Sequence, residues 1–117
     1  MSLGDGHAAQ GDGESGGTAI ECPLQLVDIT VELIDTPLLD VPYADTPSGW
    51  LVMGMDQDMQ IAHDMALSNM QTFIANRYHV DRLTALSLMG TVVDMRITQT
   101  VNGVKGVHAI LPHGALR

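Results

Sequence analysis

Residues 91–111 read TVVDMRITQTVNGVKGVHAIL, and the fold turns on this stretch. From Thr91 to Val101 the apolar positions Val93, Met95 and Ile97 alternate with Asp94, Arg96 and Thr98, the period of two of a half-buried strand. Asn102-Gly103 follows, a pair in which both residues tolerate positive φ, so a two-residue hairpin turn is expected there. Val104 to Leu111 then returns as the second strand. A C-terminal β-hairpin is therefore the anchor for everything upstream.

Working back from the hairpin, Asp81 suits the N-cap of a short helix ending near Gly90, with Leu83, Leu86 and Met89 turned inward. Before it lies the longest helical pattern, Gln57 to Tyr78, with Asp56 as its expected cap. Ala62, Met65, Ala66, Met70, Phe73 and Ile74 make one apolar stripe along it. Asp56, Asp58 and Asp64 near its start and Arg77 near its end match the helix dipole. Trp50 to Met55 reads as a short strand, and the prolines at 37, 42 and 47 mark an extended loop. From Leu24 to Ile34, Val27, Ile29, Val31 and Leu33 alternate with Asp28, Thr30 and Glu32, which predicts another strand. The expected fold class is α+β: two helices packed on a largely antiparallel sheet, with a Gly-rich N-terminal segment and the C-terminal hairpin. Residues 1–117 are expected to form a single domain, with 1–22 as the Gly-rich segment and 23–117 as the α+β body.

The 117 residues can bury a core of modest size, roughly two-thirds of the unfolded surface. Aromatics are only 3%, so aliphatic side chains and eight methionines must fill it. The formal charge is −9, unevenly spread. Residues 1–76 hold 12 of the 14 acids and no Lys or Arg, whereas all five Lys and Arg follow from position 77, beside only Asp81 and Asp94. The two parts carry −12 and +3, and a net acidic chain argues against nucleic acid or an anionic membrane as main partner. No apolar run approaches the roughly 20 residues that span a bilayer. The first ten residues lack the basic start and apolar stretch of a signal peptide. The single cysteine, Cys22, excludes an internal disulfide framework and fits the reducing cytoplasm.

Six of the twelve glycines fall within the first 17 residues, interleaved with acids and an imidazole. This density describes a shaped loop rather than a linker. In extended backbone Asp5 and His7, two apart, point the same way. A carboxylate and an imidazole suit a divalent metal such as zinc, although two donors do not close a site. Glu14, across the glycine turn, is placed to act as a third ligand or as a general base. The bland alternative is a turn whose acids hydrogen-bond their own amides. Gly13-Glu14-Ser15-Gly16-Gly17 fits G-x-S-x-G, but a strand rather than a helix follows, so no nucleophile elbow is expected. A phosphate loop lacks its lysine, an EF-hand fails at Ala9, and no H-E-x-x-H occurs. Cys22 is expected as a buried structural thiol, and His63, His79 and His113 as surface or element-end residues. His108 is expected as a half-buried structural histidine. Asp94 and Arg96 share a strand face and could pair, a modest structural interaction.

The segment Gly4-Asp5-Gly6-His7-Ala8-Ala9-Gln10-Gly11-Asp12-Gly13-Glu14, with Gly17-Thr18-Ala19-Ile20-Glu21, closely resembles the signature of the acetamidase/formamidase family. The resemblance continues through Asp45-Thr46-Pro47, Gly54-Met55-Asp56, Val93 to Gln99, Val101 to Ala109 and Leu111-Pro112, in colinear order. Ser15-Gly16 departs from the more apolar residue usual after the signature glutamate. Family members are considerably longer, so the resemblance implies that this chain corresponds to their C-terminal portion. It also implies hydrolysis of short linear amides such as formamide and acetamide, with Asp5 and His7 as metal-site residues, zinc as a possible ion and Glu14 as an acid/base. The partners expected are a small amide, and either further copies of the chain in a homo-oligomer or a missing N-terminal half.

Overall fold

The computed structural model describes residues 4–117. Along the chain come β1 (Gly6–Ala9), β2 (Ile20–Cys22), β3 (Tyr43–Thr46), β4 (Gly49–Asp56), α1 (Met59–Tyr78), α2 (Arg82–Val92), β5 (Asp94–Gln99) and β6 (Lys105–Leu111). A 3-10 turn at Asp12–Glu14 separates β1 from β2, which pair as a small antiparallel hairpin. The main sheet has the order β3-β4-β6-β5, antiparallel throughout. This is the expected α+β arrangement of helices on an antiparallel sheet.

Pairing register divides the sheet into two faces of different chemistry. Trp50, Val52 and Gly54 of β4 stand opposite Leu111, Ala109 and Val107 of β6 and face the helices. Val52, Ala109 and Leu111 are fully buried there against Met70, Phe73 and Ile74 of α1. Three of the few aromatic rings close one end of this core, with Phe73 5.2 Å from Trp50 and 5.8 Å from Tyr43. The Arg77 guanidinium lies 4.6 Å over the Trp50 ring, a cation–π contact from the last turn of α1. At the other end, α1 meets β4 backbone to backbone. A Cβ at Gly54 would overlap the Ala62 carbonyl and the Ala66 amide. Gly54, Ala62 and Ala66 thus set how closely the helix approaches. The opposite face carries Leu51 and Met53 of β4, His108 and Ile110 of β6, and Asp94 and Arg96 of β5.

Several expectations need correction. Leu24–Ile34 forms no strand: its backbone pairs with nothing in the described residues, and Leu26, Val31 and Leu33 are 83%, 80% and 92% exposed. Alternation supplies the side-chain pattern of a strand, but a ladder needs a neighbour to take the N–H and C=O groups. The Cα radius of gyration, 15.7 Å against about 13 Å for a compact chain of this length, reflects such extended segments. A strand absent from the expectations, Tyr43–Thr46, instead fills the edge beside β4. The cap of α1 is Asp58, whose carboxylate accepts from the Gln60 and Ile61 amides. Asp56 takes the Asp58 amide one step earlier, at 2.8 Å. Met65 lies outside the buried stripe of α1.

Asp81 caps α2 as expected, but the inward residues are Ala85 and Met89, while Leu83 and Leu86 are exposed. The Arg82 guanidinium ties the start of α2 to α1, donating to Thr72 at 2.9 Å and to Gln71 at 2.8 Å. Positions 85, 88, 89 and 92 share the inward face, with Leu88 and Val92 partly buried beside Ala85 and Met89, and Leu83 and Leu86 fall outside it. The helix runs on to Val92 and delays β5 to Asp94. Asn102 and Gly103 do adopt positive φ, 67° and 76°, yet the connection spans residues 100–104 rather than two. Thr100 leaves the ladder because its amide donates to the Gly13 carbonyl at 3.0 Å. Among the described residues no helix is long and apolar enough to cross a membrane.

Gly54→Ala is expected to destabilise the protein at the upper end of the roughly 1–3 kcal/mol typical of overpacking, because the obstacle is backbone. Asp58→Ala is expected to cost about 1 kcal/mol as a lost N-cap. Urea denaturation checks both, and equal midpoints for wild type and Gly54→Ala would show that the helix does not need the close approach.

Candidate functional site

The Gly-rich turn is held against the edge of the main sheet. Gly13, at φ 82°, packs over Ile97 of β5, and its carbonyl receives the Thr100 amide. Glu14 follows at φ 46°, a left-handed backbone that a non-glycine residue seldom adopts and that clusters at functional positions. Its carboxylate accepts from the Asn102 side-chain amide at 3.4 Å. Asp12 lies 3.8 Å from the Arg96 guanidinium. Arg96 therefore pairs with Asp12 rather than with Asp94, which correct spacing along one strand could not foresee.

Arg96 sits directly across from His108 in the β5–β6 register, with Met53 on His108's other side. The pairing shifts between Ile97 and Gln99, a bulge that re-aims Thr98. Thr98 and His108 share a hydrogen bond of 2.8 Å between Oγ1 and Nδ1. Gly106 makes this possible, because a Cβ there would stand 2.9 Å from Thr98 Cβ. One imidazole nitrogen is thus held by a neutral hydroxyl. Partial burial pushes His108 below its ordinary pKa of 6.5, helped by the Arg96 cation and partly opposed by Asp12. The imidazole is accordingly neutral at neutral pH. A cavity of about 230 Å³ opens on this face, lined by Asp94, Arg96, His108, Leu51 and Ile110, with Thr46, Ser48 and Pro112. His108 is half-buried as expected, but a single histidine within a strand offered no spacing signal for this cluster; only Arg96 beside it in the register could have hinted at it.

Asp5 and His7 lie apart from the cavity. Asp5 is exposed just before β1, and His7 is the second residue of that strand. His7 Nε2 lies 3.2 Å from Glu21 on β2 and Nδ1 lies 3.1 Å from the Gln10 side-chain oxygen Oε1. The Gln10 bond raises the His7 pKa most, with Glu21 and Glu14 adding to it. Carboxylate and imidazole are suitable donor types for a divalent ion. Among the described residues, however, no three His, Cys, Asp or Glu side chains converge to hold one. The donors present here do not make a metal centre by themselves. Cys22 is half-buried rather than fully buried, its thiol donating to the Gly6 carbonyl at 3.3 Å across the small hairpin. His63 stands beside Asp64 on α1, His79 is the left-handed C-cap of that helix, and His113 contacts Asp45 and the Thr46 carbonyl. A larger cleft of about 430 Å³, lined mainly by Met59, Met95, Ile97 and Val107 with His63 and Arg96, is apolar and holds no carboxylate.

No protein-family model matches this chain, and no curated protein matches it. Among solved structures the chain is similar to an acetamidase from Bacillus halodurans, with 27% sequence identity and a TM-score of 0.72. The match covers 91% of this chain and 36% of that one, so the chain spans just over a third of its neighbour's length. The fold is acetamidase-like over nearly every described element.

His108 is expected to titrate below 6.5 and His7 above it, in a proton NMR titration of the imidazole signals. For His108 the unfolded chain binds a proton more readily than the folded one, so acidification through and below 6.5 removes stability. His7 acts oppositely: its contribution is complete below 6.5 and fades as pH rises through its elevated folded value. Arg96→Gln should raise the His108 midpoint, and an unmoved midpoint would refute the Arg96 influence.

Proposed function

We propose that this chain carries part or all of an amide hydrolase site, cleaving the C–N bond of short linear amides such as formamide and acetamide. An amide and water would yield the carboxylate and ammonia. The observation that supports this reading is the likeness to an acetamidase structure across 91% of the chain. Glu14 is the acid/base of the proposal: it is tethered by Asn102 and held on left-handed backbone at the edge of β5. A carboxylate so placed can take a proton from attacking water and return one to the departing nitrogen. Asp5 and His7 are the positions this chain would offer to a divalent ion such as zinc. Further donors would then come from another polypeptide, since among the described residues no three such side chains come together to hold an ion.

A second reading is favoured by residues 24–34. This acidic, alternating segment exposes Leu24, Leu26, Val27, Ile29, Val31 and Leu33 and leaves its backbone unpaired. Surface of that kind suits pairing with another polypeptide, either a second copy or a separate N-terminal half. In this reading the chain is a non-catalytic oligomerising or partner-binding module.

Ammonia release from formamide and acetamide, measured on zinc-free and zinc-loaded protein, tests the first reading. Turnover is expected, falling about 100-fold or more in Glu14→Gln, as for a lost general acid–base. Absence of ammonia at every metal loading would overturn it. Light scattering at micromolar concentration tests the second: dimers or larger assemblies are expected, reverting to monomer in Val27→Lys/Val31→Lys. A monodisperse wild-type monomer that binds no N-terminal partner would contradict it.

A further inference from the structure

The cavity on the sheet face opposite the helices combines groups that the Gly-rich turn does not supply. Arg96 can only donate hydrogen bonds, and Asp94, when ionised, can only accept them. His108 is fixed through Nδ1 by Thr98. Leu51 and Ile110 give the same cavity an apolar wall. At about 230 Å³ it lies below the roughly 300–1,000 Å³ of sites for drug-sized ligands, so a molecule of a few heavy atoms fits it best.

The chemistry selects among small molecules. A simple anion would meet Arg96 but also Asp94 in the lining and Asp12 against the guanidinium, so the local charge opposes it. A simple cation would meet Arg96. A neutral primary amide satisfies both sides: its carbonyl oxygen accepts from the guanidinium and its NH2 donates to the carboxylate. The methyl of acetamide then has Leu51 and Ile110 to lie against. A carboxylate product has lost the NH2 donor and gained a charge that Asp94 repels, which favours release.

We propose that the cavity between Asp94, Arg96 and His108 is a binding site for a small neutral primary amide. This rests on the amide-hydrolase reading for the identity of the ligand and places its recognition on β5 and β6 rather than on the β1–β2 hairpin. Thr98 and Gly106 are positioning residues, acting through the His108 ring.

The test uses the full chain carrying Glu14→Gln, which suppresses turnover, and follows the five imidazoles by NMR during titration with acetamide. The His108 signals are expected to shift with saturation while those of His63 and His7 stay in place. Arg96→Gln and Asp94→Asn, each added separately, are expected to weaken the dissociation constant by about ten-fold or more, the usual cost of losing a hydrogen bond to a charged group. Unchanged His113 signals would show that each variant keeps the fold at the edge of the cavity. Shifts at His7 without His108, affinity unaltered in both variants, or no acetamide binding would overturn the proposal. The two readings separate cleanly. Acetamide binding at His108 with no ammonia from wild type would uphold the site and refute the hydrolase. Ammonia release at wild-type rate by both Arg96→Gln and Asp94→Asn would do the reverse.

Discussion

The close approach of α1 to β4 at Gly54 is the constraint on which the remaining architecture depends. The Ala62 carbonyl and Ala66 amide occupy the space where any larger residue at 54 would put its side chain. With the helix seated there, Val52, Ala109 and Leu111 are committed to the core, and strand periodicity sends their neighbours to the other face. His108 is thereby turned away from the helices, and Arg96 is brought beside it. Gly106 repeats the device on a smaller scale, giving up a side chain so that Thr98 can reach the imidazole. Gly54 and Gly106 thus let α1 and Thr98 come close to the sheet, while strand periodicity assigns the residues to its two faces.

The unequal charge distribution acquires a structural meaning in the same region. The acid-rich first part of the chain meets the basic second part where the Gly-rich turn lies on β5. Asp12 approaches Arg96 there, Glu14 is bonded by Asn102, and the Gly13 carbonyl takes the Thr100 amide. That last bond also widens the β5–β6 connection beyond the tight turn that Asn102-Gly103 alone would make. The same bond joins the Gly-rich turn to the hairpin.

Features governed by neighbouring residues were legible in the sequence. Asp81 caps its helix, Asn102 and Gly103 take positive φ, and Ala62, Ala66, Met70, Phe73 and Ile74 form the buried stripe of α1. Features governed by distant partners were not. Leu24–Ile34 alternates like a strand, but nothing local reveals that no ladder neighbour exists within the described residues. Leu83 and Leu86 were expected inward with Met89, whereas packing against the rest of the fold turns Ala85 and Met89 inward, with Leu88 and Val92 beside them. The candidate site divides the same way. Asp5, His7 and Glu14 stood out by their spacing and family likeness. Arg96 and His108 became a pair only through strand register, and Thr98 joined them only through a bulge.

The proposed amide cavity lies on the sheet face turned away from the helices, apart from Glu14 on the Gly-rich turn. A crystal structure of the Glu14→Gln protein soaked with acetamide tests it most directly. The amide is expected between Asp94 and Arg96 beside His108, with its methyl toward Leu51 and Ile110. Acetamide bound instead beside His7 and Glu21, or in the apolar cleft between Met59 and Met95, would contradict it.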